Sequence, residues 1–167
     1  MDHADLLVEL YGRIPPLVRE AVEGLDSDQL LWRPTPEANS IGWLTWHLVR
    51  VQDHHLSQVL DADQVWTTGG WASGFGLTPD PSNTGYGHSP EDCASVRPTG
   101  PDIIVAYGDA VNERTQAFLA ALRPEDLDRI VDRRWNPPVT MGVRLVSVAD
   151  DDLQHAGQAA YVRGLLP

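Results

Sequence analysis

Apolar residues recur at helical spacing in four parts of the chain: residues 3–24, 41–60, 101–122 and 141–166. In the second part, for example, Leu44, Leu48 and Val51 fall on one face of a helix. The Pro15-Pro16 pair interrupts the first part and predicts a kink or a break there. No part shows a confident strand pattern. The chain is therefore predicted to be all-α, a four-helix bundle that forms a single domain.

Residues 61–100 lack helical spacing. They contain seven glycines and four prolines, together with aromatic residues that include Trp66, Trp71 and Tyr86. A segment of this kind is usually either a functional lid or disordered, and its aromatic side chains favour burial. We predict a long ordered loop between the second and third helices that covers one end of the bundle. Residues 123–140 are predicted to form a turn followed by an irregular or extended connection.

The charge balance excludes some classes of partner. Twelve basic against twenty-four acidic residues give a net charge of −12, which disfavours binding to nucleic acids and to anionic lipid surfaces. No apolar stretch approaches the roughly 20 residues that span a bilayer. The N-terminal residues lack the pattern of a signal peptide. The single cysteine, Cys93, allows no intramolecular disulfide and fits a reducing compartment, so a cytoplasmic location is expected.

The last predicted helix carries two residues of metal-ligand type. Asp151 and His155 are four residues apart, so both project from one face, about one turn from each other. A carboxylate and an imidazole at this spacing can reach one metal ion. The alternative is that Ser147 and Asp150 begin a shorter helix as a capping box, which leaves the acidic side chains solvated.

A third candidate ligand lies on the second predicted helix. His47 stands at the edge of the apolar face, and a bundle could bring it against the last helix. The alternative is a partly buried histidine that only makes hydrogen bonds. His54 lies on nearly the same side, but seven residues correspond to about 10.5 Å along a helix axis. It is therefore not expected to share a metal ion with His47.

Several other residues are candidates for supporting roles. Arg114 interrupts the apolar stripe of the third helix and could contact a substrate carboxylate, although such an arginine more often buries only its stem. Gln158 and Ser147 lie near the Asp151–His155 face and could orient metal ligands. Cys93 has no recognisable histidine partner and is interpreted as a loop cysteine rather than a nucleophile.

Four runs of sequence resemble one known family, the DinB-like superfamily, whose members include mycothiol-dependent maleylpyruvate isomerase and related bacterial thiol transferases. The runs are NSIGWLTWHLVRVQDHHL, TGYGHS, RRWNPPVTMGVRL and DDLQHAGQAAYVRGLL. The resemblance implies that His47, Asp151 and His155 are the ligands of one divalent metal. Many members have histidine or glutamate where this chain has the shorter Asp151. Zinc is the first choice of metal, and nickel, iron and manganese also suit mixed nitrogen and oxygen ligands.

The resemblance also implies an activity. Three protein ligands leave coordination positions open, as in catalytic metal sites. The expected function is metal-dependent S-transfer or isomerisation of a small electrophilic substrate with a low-molecular-weight thiol, mycothiol first among them. A metal-dependent hydrolase and a non-enzymatic small-molecule-binding or stress-response bundle are the alternatives. The oligomeric state is left open, a homodimer included.

Overall fold

The computed structural model describes residues 1–167 and is predominantly helical. Four helical units pack into the bundle, as the sequence predicts, and the all-α class is confirmed. Its eight α-helices are α1 (His3–Gly12), α2 (Ile14–Val22), α3 (Ser27–Leu31), α4 (Ile41–Leu60), α5 (Val65–Thr68), α6 (Pro90–Ser95), α7 (Pro101–Ala120) and α8 (Met141–Gly164). None of the helices is long and apolar enough to cross a membrane.

The first predicted helix is split at Arg13, which confirms the expected break. Helices α1 and α2 meet there, and the two prolines lie in the first turn of α2. Backbone N–H groups in the first turn of a helix have no hydrogen-bond partner within that helix, so proline, which lacks this group, costs little there. The first piece packs against α7, and the second packs against both α7 and α8. The broken helix therefore behaves as one wall of the bundle.

Helix α4 is the central element, since it packs on α8, α7, α2 and α3. The hydroxyl of Ser40 caps its N-terminus by accepting from the Trp43 amide, 3.1 Å away. Most of its residues are buried, and they include polar ones. Gln52, for instance, donates to the hydroxyl of Thr115 on α7 at 2.7 Å. This burial on all sides explains why the apolar stripe alone does not describe the helix.

Helix α8 is continuous from Met141, and Thr140 caps it by accepting from the Val143 amide. The hydroxyl of Ser147 donates to the Val143 carbonyl inside this helix. The alternative of a shorter helix that begins with a capping box at Ser147 is therefore wrong.

The two connections are more structured than the sequence pattern predicts. Between α4 and α7 the chain forms α5, a 3-10 turn (Trp71–Phe75) and α6, and the turn and α5 bury aromatic rings against α7. Between α7 and α8 it forms a 3-10 turn (Pro124–Asp128) and two short antiparallel strands, β1 (Ile130–Asp132) and β2 (Val139–Thr140). The β1–β2 loop lies beside the N-terminal half of α8.

Candidate metal centre and adjoining cavity

His47 occupies a buried position on α4, and its two ring nitrogens have different surroundings. Its Nδ1 atom contacts the carbonyl oxygen of Thr84, which can only accept, so the Nδ1 atom carries the proton. The indole of Trp43 stacks on the imidazole with ring centroids 4.6 Å apart. These two contacts fix the ring and leave the lone pair of Nε2 free to face α8.

Asp151 and His155 face His47 from α8. The Asp151 carboxylate lies between the two imidazoles, with Oδ2 3.9 Å from Nε2 of His47 and Oδ1 3.7 Å from Nε2 of His155. The Nδ1 atom of His155 lies 2.8 Å from Oε1 of Gln158, which orients this ring in the same way. One ligand atom from each of the three residues lies within 4.8 Å of the others.

The chemistry of these atoms fits a divalent cation. Oδ2 of Asp151 is buried and has no hydrogen-bond partner, although an unsatisfied buried carboxylate oxygen is costly. The contacts of the Asp151 carboxylate with the two imidazoles, Oδ2 with His47 and Oδ1 with His155, are too long for hydrogen bonds. Two imidazole nitrogens and one carboxylate oxygen form a ligand set that zinc and similar metals accept. The cluster could therefore hold one metal ion.

The electrostatics of the cluster agree with ligation. Burial lowers the pKa of His47, while the Thr84 carbonyl and the Asp151 charge act in the opposite direction. A neutral imidazole at neutral pH is the form that binds metal. The neighbouring Asp152 is fully buried, and burial together with the charge of Asp151 raises its pKa well above the usual range. The Asp150–Asp152 run therefore places one acid in solvent, one in the cluster and one in the core.

A cavity of about 650 Å³ adjoins the cluster, and both His47 and Asp151 line it. Helix α4, helix α8, the β1–β2 loop and residues 82–86 form its walls. The other lining residues are Val51, His54, His55, Ser82, Thr84, Tyr86, Asp132, Arg134, Trp135, Arg144, Ser147 and Val148. This volume suits a small organic molecule.

Comparison with known proteins agrees with this architecture. The sequence model of the DinB superfamily matches residues 11–159. The chain belongs to the DinB superfamily. A solved structure, a crystal structure of a conserved protein from Enterococcus faecalis, is 32% identical and superposes with a TM-score of 0.89, over 98% of this chain and 96% of that one. No curated protein matches the sequence significantly. The family predicted from the four runs of sequence is confirmed.

The remaining residues considered in the sequence analysis lie at different distances from the cluster in this DinB-superfamily bundle. Gln158 contacts His155, so it lies beside the cluster, and Ser147 lines the adjoining cavity. His54 contacts the side chains of Gln58 and Gln64 instead of the cluster. Cys93 is buried on α6 and does not line the cavity.

Arg114 does not reach the cavity. Its Nη1 atom donates to the carbonyl oxygen of Asp63 at 2.6 Å, so the guanidinium joins α7 to the turn after α4. The predicted contact with a substrate carboxylate is therefore not supported by its position. The arginines that line the cavity are Arg134 and Arg144, neither of which was predicted from the sequence to contact a substrate.

Part of the long loop packs directly on the cluster. Thr84 contacts His47, and Tyr86 lines the cavity. Trp66 and Trp71 instead lie against Tyr107 on α7, with ring centroids 5.4 and 5.7 Å from it. The part of the loop around Thr84 and Tyr86 therefore reaches the His47–Asp151–His155 cluster, whereas Trp66 and Trp71 do not line the cavity.

Arg50 is the functional residue that the sequence analysis missed. It is fully buried on α4 and donates to the carbonyl oxygens of Asn83 and Pro81, at 3.1 and 3.3 Å. Its charge is balanced by Asp53, which lies 3.4 Å away. Arg50 thereby fixes the loop at Asn83, and Thr84, the residue after Asn83, contacts His47. The available signal was a charged residue within the buried run after His47.

Asp53 completes this support. Its carboxylate accepts from the amides of Val65 and Trp66 at 3.0 and 2.8 Å, and so stabilises the start of α5. It also accepts from the hydroxyl of Tyr107 at 2.9 Å. A buried network thus connects α4, α5, α7 and the loop that contacts His47.

Proposed function

We propose that this DinB-superfamily protein is a metal-dependent enzyme that uses a low-molecular-weight thiol for S-transfer or isomerisation of a small electrophilic substrate. His47, Asp151 and His155 hold one divalent cation, with zinc the first choice, and mycothiol is the first candidate thiol. The observation that carries the proposal is the buried, unpartnered Oδ2 of Asp151 between two oriented imidazoles at the edge of the cavity.

The ligand set favours catalysis over a purely structural role. Structural zinc sites are closed by four protein ligands, whereas catalytic sites have three and keep a position open. His47 and Asp151 line a cavity large enough for a small molecule. When bound, the cation supplies a positive charge that favours the thiolate form of an incoming thiol and so provides a nucleophile at neutral pH.

The protein residues around the cluster perform the supporting steps. Thr84 and Gln158 orient the two imidazoles through their Nδ1 atoms. Val51 and Val148 give the cavity apolar surface for the body of a substrate. No cysteine lines the cavity, because Cys93 is buried elsewhere. An external thiol is therefore the source of sulfur that the proposal requires.

The test begins with metal analysis of the purified protein, followed by calorimetry with mycothiol, bacillithiol and glutathione. The metal-loaded protein is then assayed with a generic electrophile, with and without each thiol. We expect turnover that requires both the metal and one of the thiols. The Asp151→Ala variant should lose both the metal and the turnover, and the His54→Ala variant, changed outside the cluster, should retain the metal.

The same assay separates the alternatives. Equal turnover of a hydrolysable substrate without any thiol would replace the proposal with a metal-dependent hydrolase, in which water is the nucleophile. Metal binding without thiol binding and without turnover would favour a non-enzymatic binding protein. A protein that binds no divalent metal would contradict the proposal at its first step.

A further inference from the structure

Arg144 lies on the same helix as the candidate metal ligands and lines the same cavity. It precedes Asp151 by seven residues, so the two side chains leave similar faces of α8. Two helical turns separate them, about 10.5 Å along the axis. The cavity therefore contains a cationic group at one end and the metal cluster at the other.

The guanidinium of Arg144 is held in place by two neighbours. Its side chain is 15% exposed, and Nη2 donates to Oδ2 of Asp132 at 3.1 Å. Its Nη1 atom lies 3.4 Å from Nε2 of His55. A guanidinium fixed in this way loses little conformational freedom when it binds a ligand.

The charge of Arg144 is not needed to neutralise Asp132. Arg134 already binds that carboxylate with two parallel contacts, Nε to Oδ1 at 3.0 Å and Nη2 to Oδ2 at 2.8 Å. The Arg134 amide donates to Oδ1 as well. Two guanidinium groups thus surround one carboxylate, which leaves one positive charge in excess at this end of the cavity.

No other ionisable group of the cavity removes this excess. Burial, and next the charge of Arg144, lower the pKa of His55 to about 4, so His55 is neutral at neutral pH. Burial likewise lowers the pKa of His54. The remaining acid, Asp151, belongs to the cluster two turns away. The anion of a ligand could balance this excess charge.

Two large aromatic side chains that line the cavity are also exposed to solvent. Tyr86 is 94% exposed and Trp135 is 65% exposed, although both line the cavity. Exposed aromatic groups at the mouth of a pocket are typical of ligand-binding surfaces. A ligand with an apolar body and one anionic end matches both features.

We propose that Arg144 binds a carboxylate of a substrate whose reacting end lies at the metal cluster, two helical turns away, with Tyr86 and Trp135 against the body of that substrate. The inference deepens the proposed function and rests on it. The carboxylate belongs either to the electrophile or to the thiol, and both sources offer Arg144 the same planar anion.

The test uses a series of ω-mercaptocarboxylates of increasing chain length and the matching ω-mercaptoamides, titrated into the metal-loaded protein by calorimetry. The thiol end reports on the metal, and the other end reports on Arg144. We expect the acids to bind about tenfold more tightly than the amides, as charge-assisted hydrogen bonds to arginine predict. The preference should be greatest at the chain length that spans the cavity.

Variants assign the preference to one residue. Arg144→Gln should abolish the preference for acids while leaving the affinity for amides unchanged, and Arg144→Lys should restore part of it. Arg19→Gln is the matched control, because it removes the same charge from a surface pair with Asp109, outside the cavity lining. Equal losses for acids and amides in Arg144→Gln would assign Arg144 a merely structural role and overturn the inference.

Further outcomes separate this inference from the proposed function. If acids and amides bind equally well at every length, the inference is overturned and the thiol site stands. If neither binds the metal-loaded protein, the proposed function fails and the inference fails with it. Turnover then identifies the source. A carboxylate on the electrophile predicts that Arg144→Gln raises KM only for anionic electrophiles, and a carboxylate on the thiol predicts a raised KM only for anionic thiols.

Discussion

His47 and Asp151 stand on different helices, yet Nε2 of His47 lies 3.9 Å from Oδ2 of Asp151. This separation is too long for a hydrogen bond, and Oδ2 has no other partner. The carbonyl oxygen of Thr84 contacts Nδ1 of His47, and the indole of Trp43 stacks on its ring. The protein therefore orients a lone pair and a carboxylate oxygen toward a common point without joining them.

This arrangement predicts that purified protein binds one divalent ion per chain and that His47→Ala, Asp151→Ala and His155→Ala each weaken binding severely. Loss of one ligand of three leaves too few donors to compete with water. The measurement is metal content after dialysis against a buffered metal solution. A chelator should lower the Tm of the wild type, because a bound ligand stabilises the folded state.

His54→Ala is the control for these variants. His54 contacts Gln58 and Gln64 rather than the cluster, so its removal should leave the metal content unchanged. The three ligand variants should also lose the response of Tm to the chelator. Unchanged metal content in all three would show that the ion, if any, binds elsewhere.

Gly85 offers a second prediction, because its backbone passes close to the ring of His47. Its φ is +92°, and a Cβ atom there would lie 2.7 Å from Nδ1 of His47 and 2.9 Å from Trp46. We expect Gly85→Ala to push the loop away from His47 and to break the contact between Thr84 and His47. Metal affinity should then fall at least about tenfold, because loss of a hydrogen bond that orients a metal ligand typically costs about 10- to 100-fold in affinity. Metal titration monitored by calorimetry measures the change.

Gly87 is a matched control for Gly85. Its φ is +75°, but a Cβ atom there would meet nothing within 4 Å. Gly87→Ala should therefore cost only the strain of the left-handed conformation, about 1 kcal/mol of the free energy of unfolding, with metal affinity preserved. Equal metal affinities in the two variants would argue against a role of the loop in positioning His47.

Arg50 supplies a third prediction, which concerns stability. Arg50→Met should lower the free energy of unfolding by about 3 kcal/mol, because it leaves Asp53 buried without its counter-ion. The metal affinity should fall too, since the carbonyls of Asn83 and Pro81 lose their donor next to Thr84. Urea unfolding of the metal-free protein isolates the first effect.

Two further variants test this interpretation. Arg50→Met combined with Asp53→Asn should recover part of the lost stability, because it removes the uncompensated charge. Arg13→Met breaks an exposed pair with Glu9 and should change stability by less than about 1 kcal/mol. A loss for Arg50→Met no larger than that for Arg13→Met would contradict the role of the buried network.

The sequence predicts the parts of this protein that depend on local patterns. Helical spacing identified α4, α7 and α8, and the Pro15-Pro16 pair identified the break after α1. The i, i+4 spacing of Asp151 and His155 placed both on one face of α8. The position of His47 against them needed only the expectation of a bundle, in which the edge of α4 meets α8.

Other features depend on contacts between distant parts of the chain and leave no periodic signal. Arg50 donates to two backbone carbonyls of the long loop, and a carbonyl has no sequence signature. The same holds for Thr84, which holds His47 through its main chain. Arg114 was singled out because it interrupts an apolar stripe, but only the packed structure shows that Arg144, and not Arg114, lines the cavity.

His55 provides the last prediction, which concerns pH. Its ordinary pKa is about 6.5, and burial with the nearby Arg144 lowers the folded-state pKa to about 4. Between these values the unfolded chain binds a proton at His55 and the folded protein does not, so the folded state loses stability as pH falls from 6.5 toward 4. The stabilising contribution of neutral His55 is fully present above pH 6.5. The shift corresponds to a loss of at most about 3 kcal/mol at the acidic end.

Comparison with His55→Gln isolates this contribution, since every other ionisable group is present in both proteins. The variant removes the titrating group and keeps a polar side chain of similar reach beside Arg144, whose Nη1 lies 3.4 Å from the imidazole. Urea unfolding of the metal-free proteins at a series of pH values from 7.5 to about 4 should give a shallower decline for the variant, because one fewer proton is taken up on unfolding. The difference between the two proteins should grow as pH falls below 6.5. Parallel pH profiles would show that His55 titrates alike in the folded and unfolded states, and that burial beside Arg144 does not hold it neutral.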